Sequence, residues 1–302
     1  MYYEELKDSS DLKTNACCTS TAPPPEIRAA LQNVCDESMA KYYGCGLIYP
    51  SCIQGANILD LGCGAGRDVF VLSQLVGEEG FVTGVDFGEA QLDVGKKHTD
   101  WQMRRFQYKK TNVRFVLSDI EDLSAVPDSS VDVVVSNCVI NLARDKRKVL
   151  AEVYRVLKEG GEMYFSDVYS DRRMPQALRD DTEIYGECIS GALYWNDFQR
   201  LARQEGFLDP RLVKSNPLTV QNARIEALLG CIQVFSATYR LFKLPALEPQ
   251  CEDYGQAVIY KGTVANEPAA FQLDGHHLIE KGKVFPVCGN TYRMLHDTRL
   301  KE

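Results

Sequence analysis

The chain has 302 residues, of which 45% are hydrophobic and 25% are charged, and its formal net charge is −8. This length and composition are typical of a folded globular protein with one large domain and a smaller addition. The negative charge argues against nucleic acid as the main partner, because nucleic-acid binders concentrate Lys and Arg to displace counterions. A small-molecule substrate is therefore expected.

No apolar stretch reaches the roughly 18 to 20 residues that span a bilayer. The first seven residues have neither the basic start nor the apolar core of a secretory signal. These features predict a cytoplasmic protein without a membrane partner, and nothing in the sequence demands more than a monomer. Eleven cysteines in a reducing compartment favour metal binding, redox chemistry or burial over permanent disulfides. Because no Cys-x-x-Cys pair or zinc-finger spacing occurs, we expect no catalytic metal.

The N-terminal segment, residues 1–50, is predicted to be an arm that leads into short helices. Prolines 23–25 precede a helical stretch over residues 26–31, which suits proline in the first turn of a helix. A second short helix is predicted to end near residues 43–46. We expect these helices to complete a site that is formed mainly by the domain that follows.

From Asn57 onward, strand and helix patterns alternate. The predicted helix over residues 145–157 carries apolar residues at helical spacing. The predicted strands cover residues 58–61, 81–86, 113–117, 131–136 and 162–165. Such alternation predicts an α/β protein with a doubly wound, mostly parallel, Rossmann-like sheet, assigned to residues 51–170.

After Asp167 the pattern changes to a helical insert, assigned to residues 171–235. It includes a candidate lid, with a helix predicted over residues 196–205. Alternating stretches at residues 239–242 and 256–260 then predict a small β-rich C-terminal domain, assigned to residues 236–302.

The loop Gly62-Cys63-Gly64-Ala65-Gly66 follows the first predicted strand. Glycine accepts positive φ and has no Cβ, so this loop lets the backbone approach a ligand. A dinucleotide fingerprint requires a glycine five positions after the first, but position 67 is Arg. The loop, with Gly62, Gly64 and Gly66, therefore favours S-adenosylmethionine over NAD.

Acidic residues follow the next two strands. Asp86, at the end of the second strand, is suited to accept hydrogen bonds from both ribose hydroxyls. Ile120 and Glu121, after the third strand, are suited to flank an adenine with one apolar and one accepting side chain. Acids at successive strand ends strengthen the methyltransferase interpretation, since ligands of open parallel sheets bind beyond the carboxyl ends of the strands.

Cys138 follows the apolar strand 131–137 and is expected to face the ligand of the glycine loop. If that ligand is S-adenosylmethionine, Cys138 lies beside an electrophilic methyl group. Together with Cys188 it would hold a soft, thiol-binding acceptor, because sulfur donors select soft acceptors over hard cations.

Four cysteine-bearing segments resemble arsenite S-adenosylmethionine methyltransferases. The resemblance extends from the N-terminal arm to about Leu244. The segments are residues 11–17 (Asp-Leu-Lys-Thr-Asn-Ala-Cys), 42–46 (Tyr-Tyr-Gly-Cys-Gly), 136–141 (Ser-Asn-Cys-Val-Ile-Asn) and 186–194 (Gly-Glu-Cys-Ile-Ser-Gly-Ala-Leu-Tyr). Generic methyltransferases share the glycine loop, whereas these segments are typical of the arsenic enzymes.

The resemblance implies that Cys138 and Cys188 bind trivalent arsenic and that Cys17 and Cys45 form a redox-active pair. In family members the counterpart of Cys45 is either a third arsenic ligand or a disulfide partner. Because Cys18 directly follows Cys17, either of the two remains a candidate partner for Cys45.

The resemblance also implies a class I methyltransferase fold, with trivalent arsenic, presented as a thiol conjugate, as substrate. It further implies that the products are methylated arsenicals and that glutathione or thioredoxin serves as the reductant. The implied S-adenosylmethionine site consists of Tyr43, Gly62, Gly64, Asp86, Phe87, Ile120, Glu121 and Asn137.

The chemistry of this reaction favours positioning over acid–base catalysis. Trivalent arsenic bound to sulfur retains a lone pair and carries no proton that a base must remove. Holding two reactants in line supplies roughly 7 to 11 kcal/mol, whereas a positioned base contributes about 3 to 5 kcal/mol. We therefore expect the cysteine ligands to dominate catalysis.

Two alternatives remain open at this point. A methyltransferase for a small organic acceptor, such as a lipid or a quinone precursor, would share the sheet and the loop but would not need Cys138 and Cys188. A noncatalytic thiol-based metalloid sensor or store would bind arsenic without using the cofactor acids. The number of methyl groups added, and activity on selenium or antimony, are also open.

Overall fold

The computed structural model describes residues 22–181, 184–185 and 188–301. In these ranges no helix combines the length and the apolar character that crossing a bilayer requires. Cys17 and Cys18 lie outside the described residues.

The helices and strands alternate through the first half of the chain and become irregular after residue 170. The helices are α1 (Pro25–Leu31), α2 (Asp36–Ala40), α3 (Arg67–Val76), α4 (Glu89–Phe106), α5 (Lys146–Val156), α6 (Gln176–Arg179), α7 (Trp195–Gln204), α8 (Ala223–Leu229) and α9 (Gly289–His296). The strands are β1 (Asn57–Leu61), β2 (Phe81–Asp86), β3 (Val113–Leu117), β4 (Val131–Asn137), β5 (Leu157–Ser170), β6 (Leu193–Tyr194), β7 (Arg211–Pro217), β8 (Val234–Phe242), β9 (Ala257–Ile259), β10 (Ala270–Gln272), β11 (Leu278–Glu280) and β12 (Val284–Pro286).

The main sheet has the strand order β3-β2-β1-β4-β5-β8-β7, and the short β6 pairs with β5. The pairs from β3 to β5 are parallel, whereas β8 is antiparallel to both β5 and β7. This topology confirms the predicted doubly wound, mostly parallel α/β sheet. The chain order reverses between β1 and β4, so the carboxyl ends of these two strands mark the point where such sheets bind ligands.

The sheet separates two apolar clusters. Helices α3 and α4 contribute buried residues such as Phe70 and Leu92 to one face, and α5 and α7 contribute Leu150 and Phe198 to the other. Because β1 and β4 are covered on both faces, they are almost continuously apolar, as is usual for central parallel strands.

The structure differs from the sequence prediction in two places. The second helix ends at Ala40, before residues 43–46, which form an irregular segment. The stretch 239–242, assigned to a separate C-terminal domain, is part of β8, which pairs with β5 along nine residues from Val234 to Phe242. An alternating pattern predicts a strand but does not indicate which sheet it joins. The small two-stranded sheets β9–β12 and β10–β11 lie beyond it in the chain.

Candidate active site

A cavity of about 280 Å³ lies beyond the carboxyl ends of β1, β2 and β4. Its walls come from the glycine loop, from the segment after α2 and from the residue pair that follows β4. Most of the predicted cofactor residues line it, namely Tyr43, Gly62, Gly64, Asp86, Phe87 and Asn137. Cys138 also lines this cavity, which brings the sulfur chemistry and the cofactor residues to one place.

At Gly62, the first position of the loop, both the backbone conformation and the lack of space for a side chain require glycine. Gly62 has φ +68°, and a Cβ there would lie 2.4 Å from a methyl carbon of Val139. Gly64 has φ +52° and faces open space, with no atom within 4 Å of a Cβ placed there. The loop therefore leaves backbone exposed to the cavity, as a ligand that approaches the main chain requires.

Asp86 is fixed by the loops on both sides of it. One carboxylate oxygen accepts a hydrogen bond from the backbone N–H of Gly64 and the other from that of Gly88, both at 2.8 Å. Burial raises the pKa of Asp86, while these N–H groups and that of Phe87 favour the charged form. The carboxylate is held in place at the cavity wall, where it can accept hydrogen bonds from a diol.

Three predicted cofactor residues do not line the cavity. Gly66 is the N-cap of α3, and a Cβ there would meet the ring of Phe115 at 2.7 Å, so this glycine serves packing. Ile120 is buried in the apolar cluster on the α5 face. Glu121 accepts hydrogen bonds from the backbone N–H groups of Arg144 and Asp145 at 2.6 and 3.1 Å and so caps the start of α5.

Asn137, the last residue of β4, anchors the segment that carries Cys45. Its side-chain oxygen accepts hydrogen bonds from the backbone N–H groups of Cys45 and Gly46 at 3.0 and 3.2 Å. Its side-chain nitrogen donates to the hydroxyl of Tyr42 at 2.8 Å. One residue thus ties the N-terminal helical region to the end of β4, and it holds Cys45 beside Cys138.

Cys45, Cys138 and Cys188 come together in one buried apolar cluster. Cys45 and Cys138 are joined as a disulfide with a Cα–Cα distance of 5.8 Å. The thiol of Cys188 donates to the backbone carbonyl of Cys138 at 3.1 Å. Their exposed fractions are 7%, 4% and 0%, so the cluster is shielded from water. The partner of Cys45 in this structure is therefore Cys138, whereas the predicted partner, Cys17, lies outside the described residues.

Cys138 and Cys188 both adopt left-handed backbone conformations, with φ of 58° and 62°. For an L residue without a short polar side chain this conformation costs about 1 to 2 kcal/mol. Strained positions of this kind concentrate at functional sites, where the surrounding structure maintains them. Two strained cysteines in contact suggest that function, and not local stability, selects these side chains.

A buried acid and a half-buried lysine lie beside the cysteine cluster. Asp167, on β5, accepts the backbone N–H of Asn141 at 3.1 Å, and the side chain of Asn141 donates to the carbonyl of Cys188 at 3.3 Å. Burial raises the pKa of Asp167 to about 7. Lys146 donates to the carbonyl of Asn141 at 3.1 Å, and burial lowers its pKa.

An aromatic and charged group on the cavity wall was not predicted from the sequence. The guanidinium of Arg67 stacks 3.0 Å above the centre of the Tyr42 ring and pairs with Asp68 at 2.7 Å. Asp68 also accepts from the hydroxyl of Tyr49 at 2.6 Å. The sequence did mark Arg67 as unusual, because at this position the loop departs from a dinucleotide fingerprint.

A family model described as a methyltransferase domain matches residues 54–206. The arsenite methyltransferase of Aquipseudomonas alcaligenes is 55% identical over 301 residues, which cover 99% of this chain and 86% of that protein. The chain belongs to the arsenite methyltransferase family.

Two further relatives agree with this membership. The human arsenite methyltransferase is 44% identical over 306 residues, covering all of this chain and 80% of that protein. The crystal structure of an arsenic(III) S-adenosylmethionine methyltransferase from Chlamydomonas reinhardtii has a TM-score of 0.89 and 48% identity, covering 92% of this chain and 94% of that chain. The family fold therefore extends over the C-terminal sheets as well as the main sheet.

Proposed function

We propose that the protein transfers methyl groups from S-adenosylmethionine to trivalent arsenic held by cysteine thiolates, and so produces methylated arsenicals in arsenic detoxification. One observation carries this proposal. Cys138 lines the cavity of the glycine loop and at the same time contacts both Cys45 and Cys188. A methyltransferase for an organic acceptor has no need for three cysteines at this point.

The cavity residues fit the methyl donor. Asp86, held by two backbone N–H groups, is suited to accept the ribose hydroxyls, and the open backbone at Gly64 allows the close approach of an adenosine moiety. The ring of Phe87, which is 45% exposed, offers an apolar surface at the same wall. When bound, S-adenosylmethionine supplies an electrophilic methyl group on its sulfonium.

The three cysteines would serve as the arsenic ligands in the reduced protein. The thiolate is the form that binds, so binding releases protons. Each new As–S bond replaces an As–O or As–S bond of the incoming arsenical, and arsenic remains trivalent. Because the cluster is dry and its backbone is fixed by Asn137 and Asn141, the ligands hold arsenic in one orientation toward the cavity.

The disulfide between Cys45 and Cys138 supports a redox role for Cys45. Methyl transfer formally oxidises arsenic from the trivalent to the pentavalent state. When a further cysteine thiolate attacks one of the sulfurs bound to the pentavalent methylated arsenic, an S–S bond forms as that As–S bond breaks, and the electron pair of the As–S bond stays on arsenic, which becomes trivalent again. An external thiol, glutathione or thioredoxin, then reduces the disulfide by exchange. We propose that Cys45 alternates between Cys138 and the arm cysteines Cys17 or Cys18.

The direct test is incubation of the purified protein with arsenite, glutathione and labelled S-adenosylmethionine, followed by separation of the arsenic species. Labelled methylarsenicals are the expected products. Transfer of label to a quinone or lipid precursor but not to arsenite would overturn the proposal. Arsenite binding without S-adenosylmethionine binding would identify a metalloid sensor instead.

The redox step has its own measurement. When the protein completes one turnover without external reductant, the number of free thiols should fall by two. Peptide mapping then identifies the oxidised pair. An unchanged thiol count after one turnover would contradict a role for protein cysteines as the electron source.

A further inference from the structure

A second pair of thiols lies in the C-terminal part of the molecule. Cys288 is the N-cap of α9, and Cys251 lies in the loop before β9. The backbone N–H of Gly289 donates to the carbonyl of Glu252 at 2.8 Å, which joins the residues that follow each cysteine. Asn290 makes two further hydrogen bonds to the same loop, both at 2.8 Å. These hydrogen bonds hold the loop against the first turn of α9. Cys251, in the loop, is thereby brought close to Cys288, at the start of the helix.

The two thiols lie close enough that each shifts the pKa of the other, and they differ in acidity. Burial opposes ionisation of Cys288, but hydrogen bonds from Thr291, Cys251 and Arg211 outweigh it and lower its pKa to about 7. The hydrogen bond to Cys288 raises the pKa of Cys251 to about 11. The guanidinium of Arg211 lies 3.9 Å from the Cys288 sulfur, and the Thr291 hydroxyl lies 3.3 Å from it. At neutral pH a substantial fraction of Cys288 is therefore ionised, whereas Cys251 stays protonated.

The pair is accessible and separate from the methyl-transfer cavity. Cys251 is exposed and Cys288 is half-buried, and neither is in a disulfide. Neither residue lines the cavity beyond β1, β2 and β4. Adjacent accessible thiols form a chelating pair for soft acceptors, whereas hard cations prefer oxygen ligands.

We propose that Cys251 and Cys288 form a second dithiol site that binds one trivalent arsenical outside the methyl-transfer cavity. The mutual contact of the two thiols, their exposure and the adjacent Arg211 carry this inference. It goes beyond the proposed function, because a dithiol chelate forms whether or not the arsenical is later methylated.

The binding step is balanced without an oxidant. Hydrated phenylarsine oxide carries two hydroxyl groups on trivalent arsenic. Each thiol sulfur forms one As–S bond as one As–O bond breaks, and each thiol proton leaves with a hydroxyl as water. Arsenic stays trivalent, and the product is a ring that contains both sulfurs. Arsenite, with three hydroxyls, reacts in the same way and keeps one.

The test measures the arsenic content of the reduced full-length protein after phenylarsine oxide treatment and gel filtration. We expect Cys251→Ser and Cys288→Ser each to bind one arsenic fewer per chain than the parent protein. Serine is a preferred N-cap residue, so Cys288→Ser should keep α9 intact, and thermal denaturation checks this. Peptide mapping should find one phenylarsine group bridging the peptides of Cys251 and Cys288.

Cys231→Ser is the matched control. Cys231 is also exposed, its sulfur lies 3.2 Å from the guanidinium of Arg172, and it forms no disulfide with another described cysteine. This variant should bind as much arsenic as the parent.

Unchanged arsenic content in folded Cys251→Ser and Cys288→Ser would overturn the proposal. Arsenite methylation by the same proteins is measured in parallel. If the parent protein bound arsenic at Cys251 and Cys288 but did not methylate arsenite, the proposed function would be contradicted and the second binding site would not.

Discussion

The two thiol groups of this protein differ in the surroundings that the fold gives them. Cys45, Cys138 and Cys188 are at most 7% exposed and sit in an apolar cluster at the end of β4. Cys251 and Cys288 lie at an accessible helix N-terminus beside a guanidinium and a hydroxyl. Burial disfavours a thiolate, whereas hydrogen-bond donors favour it.

The buried cysteines are suited to position a ligand, whereas the accessible pair is suited to react with thiol reagents. We propose that the buried group holds a metalloid in one orientation, because backbone and side-chain contacts fix the cysteines, two of them in strained conformations. The accessible group has the more reactive thiol but lacks a neighbouring cofactor cavity. Catalysis of methyl transfer should therefore depend on the first group, while fast thiol modification should report on the second.

Replacing Cys138 or Cys188 by Ser should have the largest effect. Each substitution removes one sulfur ligand, and a misplaced reactant costs about 100-fold or more in rate, so arsenite methylation should fall by at least that factor. Binding of S-adenosylmethionine, measured by calorimetry, should stay within about twofold, because the cofactor residues remain. Cys231→Ser serves as the control with parental activity. Full turnover by either variant would contradict the assignment of these cysteines as arsenic ligands.

Substitution of two acidic residues, Asp86 and Glu121, tests which of them contacts the cofactor. Asp86→Asn should weaken S-adenosylmethionine binding about 10-fold to 100-fold, because hydrogen bonds to a charged group contribute about 1.5 to 3 kcal/mol. Glu121→Gln should leave this affinity within about twofold, since Glu121 caps α5 and does not line the cavity. Calorimetric titration measures both. Equal losses in the two variants would show that Glu121 reaches the cofactor in the bound protein.

The contrast between Asp86 and Glu121 shows how far the sequence predicts a site. The central strands, the loop after β1 and the acid after β2 followed from apolar runs, glycines and chain order. The sequence pattern was the same after β3, but the loop there turns away and Ile120 enters the core. Which strand-end side chains converge depends on loop paths, and single-sequence patterns do not encode these.

The cysteine cluster illustrates a second limit. The position of Cys138 after β4 predicted that it faces the cofactor site. The approach of Cys45 depends on Asn137, which binds the backbone of a segment 92 residues away in sequence. The contact between Cys251 and Cys288 likewise depends on a loop docking onto α9, so no spacing rule reveals it. Long-range contacts of irregular segments were the part that the sequence did not predict.

Asp167, beside the buried cluster, gives the stability of the protein a pH dependence between about pH 4 and 7. Its pKa is raised to about 7 by burial, whereas an unfolded Asp titrates near about 3.9. Between these values the folded state retains a proton that the unfolded state has lost. The free energy of unfolding should therefore decrease as pH rises from about 4 to 7, by up to about 1.4 kcal/mol per pH unit from this group.

The substitution Asp167→Asn removes this titration. Urea denaturation of both proteins at several pH values between 4 and 7 measures the slope, which should be less negative in the variant than in the parent. The comparison of slopes does not depend on the absolute stability of the variant. Identical slopes would mean that Asp167 is already ionised in the folded protein at pH 4.

The smallest expected effect concerns the acidity of the accessible pair. Iodoacetamide should modify Cys288 with a pH midpoint near its lowered pKa of about 7, below the value of about 8.5 for an ordinary cysteine. Thr291→Val removes the hydroxyl that contacts the Cys288 sulfur but keeps the backbone N–H, which also donates to it. Since one hydrogen bond contributes about 0.5 to 1.5 kcal/mol, the alkylation rate at pH 7 should fall about twofold to fivefold. Mass spectrometry of the Cys288 peptide over time measures this rate. A midpoint near 8.5 in the parent protein would remove the distinction between the two thiol groups, because Cys288 would then be no more reactive than an isolated surface cysteine.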